Sequence, residues 1–272
     1  MDEAMVPDPV APDRGVPLLR GGLCSVTFRT LRVAEVARRA REAGLAAVEW
    51  GTDVHVPLGD PAAQAGVRAL AAEHGPAVAS LGSYLRFDVP TVDDGVALLA
   101  ATARTGAPRV RVWAGSAGSA DATRAGRDAV VGGLRDLADA AADAAPGLVI
   151  GLELHDGTLA DEEEAAARLL DEVDRPAVGA YWQPGVGLPD ERALAGLRLL
   201  ADRVVAVHAF SWWPGDERLP LSRRAGLWRA VLALLHERGR PTDVLLEFVP
   251  GDDPDVLPRE AATLRDLIEE TR

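Results

Sequence analysis

From residue 18 onward the chain alternates short runs rich in Val, Leu, Ile and Ala with longer stretches in which apolar residues recur at helical spacing among Arg, Glu and Asp. A run of β character followed by a helical segment, repeated along a chain, is the pattern of βα units around a parallel sheet. Eight such units can be read. The strands are expected at Gly22 to Thr27, Ala46 to Trp50, Ala77 to Gly82, Arg109 to Ala114, Leu148 to His155, Val178 to Gln183, Val204 to Phe210 and Asp243 to Val249. Helices should follow each, several of them ending at glycine, as at Gly44, Gly75, Gly106 and Gly239. Eight units without an intervening linker favour a closed (β/α)₈ barrel over an open doubly wound sheet. The first strand is also not followed by a GxGxxG turn. The expected architecture is therefore α/β, a single-domain (β/α)₈ barrel over residues 18–272. Residues 1–17, with four Pro and no apolar period, are expected to form a flexible N-terminal leader outside it.

Composition removes several classes of function. The formal charge of −13 over 272 residues would repel a phosphate backbone, and no basic block offsets it, so no nucleic-acid partner is expected. Cys24 is the single cysteine, which rules out an intrachain disulfide. The chain has neither a signal-peptide pattern nor an apolar run long enough to span a bilayer, so no membrane partner and a cytoplasmic location are expected. All 29 basic residues are Arg, which excludes Schiff-base and carbamylated-lysine chemistry.

In a barrel of this type the chemistry sits where the strands end, so a polar residue closing an apolar strand is informative. Four strands have one. They are Glu153 in Leu148-Val-Ile-Gly-Leu-Glu-Leu-His155, Gln183 after Val178-Gly-Ala-Tyr-Trp, His208 after Val204-Val-Ala-Val, and Glu247 after Asp243-Val-Leu-Leu. Side chains alternate along a strand, so if those faces point inward, groups from strands five to eight converge. Two carboxylates, an imidazole and an amide oxygen form a nitrogen and oxygen set suited to one divalent ion. Mn²⁺ is the first choice, with Mg²⁺, Co²⁺ or Zn²⁺ as alternatives, since no thiolate is expected to take part. A dication would also keep two close carboxylates ionised.

These passages resemble the xylose-isomerase-like TIM-barrel superfamily, which holds sugar isomerases, tagatose-type 3-epimerases, inosose and dehydroshikimate dehydratases, and endonuclease IV. The resemblance rests on Gly151-Leu-Glu-Leu-His155, Val205-Ala-Val-His208 and Leu245-Leu-Glu-Phe248, with Val48-Glu-Trp-Gly51 and Asp53-Val-His55 as a weaker match. It implies a metal held by Glu153, His208 and Glu247, with Gln183 where the ketose epimerases carry Asp. A neutral amide there should lower metal affinity and raise Lewis acidity. Val186 stands where those epimerases have a substrate-binding His, so their substrate contacts do not carry over in full. The resemblance further implies Glu153 and Glu247 as the acid and base that move a proton beside a metal-bound carbonyl. Arg218 resembles the family's substrate-contacting loop arginine.

Further substrate contacts are expected from His155, on the Glu153 face, from His55 after strand two, and from Trp113, since an aromatic wall stacks on a sugar ring. The loop after strand eight, Pro250-Gly-Asp-Asp-Pro-Asp255, offers no nest or basic cluster for a phosphate. The substrate expected is an unphosphorylated sugar, polyol or related hydroxy-carbonyl compound, turned over by a metal-dependent isomerase or epimerase. The alternatives are a dehydratase or other lyase of the same superfamily, and a catalytically impaired barrel that binds a sugar or a partner. A homo-oligomer is also expected, as barrels of this type often form dimers or tetramers.

Overall fold

The computed structural model describes residues 17–88 and 92–272. The leader expected over residues 1–17 lies outside the described residues except for its last position. Eight parallel strands close into a barrel: β1 (Leu19–Cys24), β2 (Ala47–Gly51), β3 (Ala77–Arg86), β4 (Arg109–Trp113), β5 (Val149–Glu153), β6 (Val178–Trp182), β7 (Val204–Ala209) and β8 (Thr242–Leu246). Each strand pairs with its neighbours in chain order, and β1 pairs with β8 to complete the ring. Helices α1 (Val33–Glu42), α2 (Pro61–Ala72), α3 (Val92–Thr105), α4 (Arg124–Ala144), α5 (Glu163–Val173), α6 (Asp190–Leu200), α7 (Ala225–Glu237) and α8 (Leu257–Glu270) follow the strands. The expected single-domain (β/α)₈ barrel is the fold observed.

Local chemistry sets the helix ends. Asp60 opens α2 by accepting from the backbone N–H groups of Ala62 and Ala63, each at 3.0 Å, with Pro61 at the first helical position. Gly44, Gly106 and Gly239 take the positive φ that ends α1, α3 and α7, at 77°, 72° and 70°. After α2 that role falls to His74 (φ 72°) rather than the expected Gly75, one residue earlier.

Strand boundaries differ from the expected ones at several ends. β1 begins at Leu19, three residues before its expected start, and its Arg20 pairs with Asp243 of β8; it ends at Cys24, where Ser25–Phe28 turns into a 3₁₀ helix. Gln183, His155 and Glu247 lie just beyond their strands rather than within them.

The barrel interior is built in layers. At its N-terminal end the Asp243 carboxylate accepts from Arg20 at 2.6 and 3.0 Å and from Arg109 at 3.1 Å, an ionic plug. Above it lies a small apolar layer that includes Cys24, Ala47, Ala79, Tyr181, Ala206 and Leu245. Small residues are required here: a Cβ on Gly22 would stand 2.6 Å from the Ala47 carbonyl oxygen, and one on Gly179 would stand 2.3 Å from Val205 Cγ1. The larger apolar core lies between the sheet and the helices.

Asp243→Ala would leave Arg109 buried at the bottom of the barrel with no carboxylate. Because Arg20 is a third exposed and can turn to water, the expected cost is near the low end for a broken buried pair, about 3 kcal/mol. Urea unfolding followed by circular dichroism measures it, and an unshifted midpoint would show the plug to be dispensable.

Candidate active site

Above the apolar layer charged or titratable groups from most of the strands meet in one place. Alternation along β4 sends Arg109, Arg111 and Trp113 inward at the bottom, middle and top of the barrel. Arg111 is 2% exposed and lies between two carboxylates, with Nε 3.1 Å from Glu49 Oε1 and Nη1 paired with Glu153 Oε2. Gly82 on β3 makes room for this: a Cβ there would stand 2.7 Å from Glu49 Oε1 and 2.8 Å from Arg111 Nη2. A register shift between β2 and β3 sets Ser80 opposite Glu49, and its hydroxyl donates to Glu49 Oε2 at 2.7 Å. The Ser80 hydroxyl is also 3.2 Å from that of Tyr181.

His208, fully buried on β7, is the hub. Its Nδ1 lies 2.9 Å from Gln183 Oε1, 3.3 Å from Glu247 Oε2 and 3.6 Å from Glu153 Oε1, and its Nε2 lies 3.4 Å from Glu49 Oε1. Tyr181 packs a tilted ring against the imidazole at 4.5 Å between centroids.

Burial works against the charge on every one of these groups, and the neighbours decide the outcome. For Glu49 and Glu153 burial is outweighed by Arg111 and His208, and both carboxyls are held below the usual range. For Glu247 burial, with Glu153 and Glu49 adding to it, outweighs His208 and Arg111 and pushes it up to about 7. Burial would discharge His208, yet the Cys24 sulfur and the Glu247 and Glu49 carboxylates outweigh it and raise its pKa. The Cys24 thiol is pushed up, chiefly by burial.

These atoms suit a divalent ion. Nε2 of His208 is buried without a hydrogen-bond partner among the described residues. Donor atoms of Cys24, His208 and Glu247, all buried, lie within 4.8 Å of one another. The sequence reading leaves sulfur out of the donor set, and the end of β1 places the Cys24 sulfur in this group. Glu153 is not in that compact group; Arg111 holds its Oε2, and its Oε1 lies 3.6 Å from His208 Nδ1. The Gln183 carbonyl oxygen reaches His208, as expected of a group at that strand end.

Glu153, Arg111 and Glu247 form part of the floor of a cavity of about 570 Å³. One wall is Trp113 with His155 stacked on it at 4.0 Å, and Arg86 covers the indole at 4.1 Å. The opposite wall is Phe210, Trp212 and Phe248. A two-strand antiparallel ribbon, Ser211–Trp212 with Arg218–Leu219, carries this wall. Arg218 lies outside the cavity lining. It pairs with Asp252 and lies 5.2 Å over Trp212 and 4.5 Å over Phe248, so it braces the wall. His55 is also outside: it is buried, with Nε2 3.0 Å from the Leu31 carbonyl and its ring edge-on to Trp50.

Arg111, Glu49 and Cys24 join the site without having been expected there from the sequence. Arg111 has a legible signal, an Arg at an inward position of an otherwise apolar strand. Glu49 has a weaker one, inside the Val48-Glu-Trp-Gly51 match.

Replacing Arg111 by Gln tests the balance of charge. With the guanidinium in place, the lowered pKa values of Glu49 and Glu153 add stability at neutral pH that is lost as pH falls through them. Without it only His208 is left to oppose burial, both carboxyls rise, and the folded state is penalised increasingly as pH rises. The variant should lose about 3–5 kcal/mol at neutral pH and less in mild acid, read from urea midpoints at both. An equal loss at both would show that Arg111 does not set the charge of the two carboxylates.

Structural comparison places known proteins on this barrel. The probable 3-DHS dehydratase AsbF of Bacillus anthracis superposes with a TM-score of 0.71 at 16% identity, covering 90% of this chain and 98% of that one. IolI protein with a bound zinc atom gives 0.70 at 16% identity, over 93% and 99%. A D-tagatose 3-epimerase-like protein gives 0.73 at 15%, over 93% and 98%. At these identities the likeness is one of fold. No curated protein matches the chain by sequence. A family profile described as xylose isomerase-like TIM barrel matches residues 37–267, and with the barrel and its rim already traced, the chain belongs to that family.

Proposed function

We propose that the protein is a divalent-metal-dependent sugar isomerase or epimerase, moving a proton on an unphosphorylated hydroxy-carbonyl substrate. One observation carries the reading: Glu153 and Glu247 reach the floor of a large aromatic-walled cavity, each within 3.6 Å of Nδ1 of a buried imidazole. His208 and Glu247 would hold the ion, with Glu153 and Gln183 beside them, and the ion would supply Lewis acidity toward a substrate carbonyl. The structural neighbour that carries zinc supports a divalent ion without indicating Mn²⁺.

The remaining chemistry is that of the chain itself. Arg111 occupies Glu153 Oε2 and keeps the group ionised, which leaves Oε1 as the proton-accepting atom. Glu247 stands across from it and can return a proton to the opposite face. Trp113 and His155 present a stacked surface to a sugar ring, and Trp212 with Phe248 excludes water from the other side. The cavity is lined by carboxylates at Asp156, Asp161, Glu162, Glu163 and Glu164, against Arg192 on the same rim. A phosphate would be repelled there, which favours a neutral substrate.

Elimination of water starts with the same proton removal, and the dehydratase named among the structural neighbours supports that second reading. Isotope exchange separates the two. Metal-loaded protein incubated in D₂O with a panel of ketoses and aldoses should place deuterium on the carbon beside the carbonyl. Glu153→Gln should slow this by about 10²–10⁴-fold while still binding metal. Loss of water from substrate would favour the lyase, and full metal occupancy without exchange into any sugar would favour a binding barrel.

A further inference from the structure

Given the divalent ion proposed above, on which this inference rests, the hydrogen bonds around His208 decide which atoms take it. Gln183 fixes the orientation of its amide: its NH₂ group donates to the Leu154 carbonyl at 2.7 Å, so its oxygen must be the atom 2.9 Å from His208 Nδ1. A carbonyl oxygen only accepts, so Nδ1 is the donor. In the neutral ring the lone pair available to a metal is then on Nε2. That nitrogen is buried and has no hydrogen-bond partner among the described residues. Glu49 Oε1 stands 3.4 Å from it, Glu247 Oε2 stands 3.3 Å from Nδ1, and Cys24 and Glu247 join His208 in the one compact donor group found among the described residues.

We propose that the ion is bound through His208 Nε2 and the Cys24 thiolate, with Glu247 reaching it from the Nδ1 edge of the ring, and that Gln183 orients the imidazole without binding the ion. The amide therefore acts as a lock. A carboxylate at position 183 would be a strong ligand on the Nδ1 side, whereas the neutral amide hands that side a hydrogen bond and leaves Nε2 for the ion. A single thiolate shifts the preference from Mn²⁺ or Mg²⁺ toward the thiophilic Zn²⁺ and Co²⁺. The thiol gives up its proton to solvent as the metal–sulfur bond forms, which a bound dication brings about even in an apolar setting. Cys24 and His208 are both 0% exposed and neither lines the cavity, so the ion would meet a substrate only on the side of Glu247, which does.

Cobalt reports this directly, because the chain has one cysteine and any thiolate-to-Co²⁺ charge-transfer band must come from Cys24. The whole chain, stripped of metal with chelator, is titrated with Co²⁺ and followed in the near-ultraviolet and visible. The expected result is a charge-transfer band that saturates at about one ion per chain together with the visible ligand-field bands. Zn²⁺ should displace both sets of bands and excess Mn²⁺ neither. Cys24→Ser should keep the ligand-field bands and lose the charge-transfer band. Stoichiometric Co²⁺ with ligand-field bands but no charge-transfer band in the wild type would overturn the sulfur ligand and leave the proposed function standing. Absence of any Co²⁺ binding would overturn both.

Discussion

The barrel interior depends on one buried cation. Arg111 stands where a closed barrel would ordinarily be filled by branched apolar side chains, and it is tolerable there only because Glu49 and Glu153 meet it from the two sides. The pairing works in both directions, since neither carboxylate could remain ionised at that depth alone. Space for it comes from Gly82 on the neighbouring strand, and orientation comes from the Ser80 hydroxyl on Glu49. The site is therefore a network assembled from β2, β3, β4 and β5 before β7 and β8 contribute anything.

That network leaves the remaining groups unequal, and inequality is what the chemistry needs. Glu153 is tied to a guanidinium and held charged, whereas Glu247, with burial and like charge around it, is raised toward neutrality. His208 meets both with one nitrogen, and its two nitrogens have different settings: Nδ1 toward an amide and the Glu153 and Glu247 oxygens, Nε2 toward Glu49 and without a hydrogen-bond partner among the described residues. The second ionic cluster, Asp243 with Arg20 and Arg109, lies at the other end of the barrel and closes it. The two clusters share β4 and β8 as supports, which ties the chemistry at the rim to the integrity of the bottom.

Much of the architecture is legible in the order of residues alone. Alternation of β and helical periods depends on local backbone preference and on which face is buried, and both are written in consecutive residues. The strand-end polar groups Glu153, Gln183, His208 and Glu247 are legible for the same reason, because a polar group closing an apolar run violates the local pattern. His155 and Trp113 reach the cavity as their strand faces imply, and His155 stacks on Trp113. His55 and Arg218 do not reach it, since a loop's path is fixed by distant partners, here the Leu31 carbonyl for one and Asp252 with two aromatic rings for the other.

What the sequence by itself determined is the count and order of βα units and the set of side chains that face the rim, because strand alternation depends only on neighbours along the chain. What the tertiary structure alone decided is pairing: Arg111 with Glu49 and Glu153, Arg20 and Arg109 with Asp243, and Cys24 beside His208. These contacts join strands that are far apart in sequence, and their partners are chosen by barrel closure and by the register of adjacent strands. A charged residue in an apolar run announces that a partner must exist, since an unpaired buried charge is too costly to keep. Only the folded ring brings the partner into reach and shows which one it is.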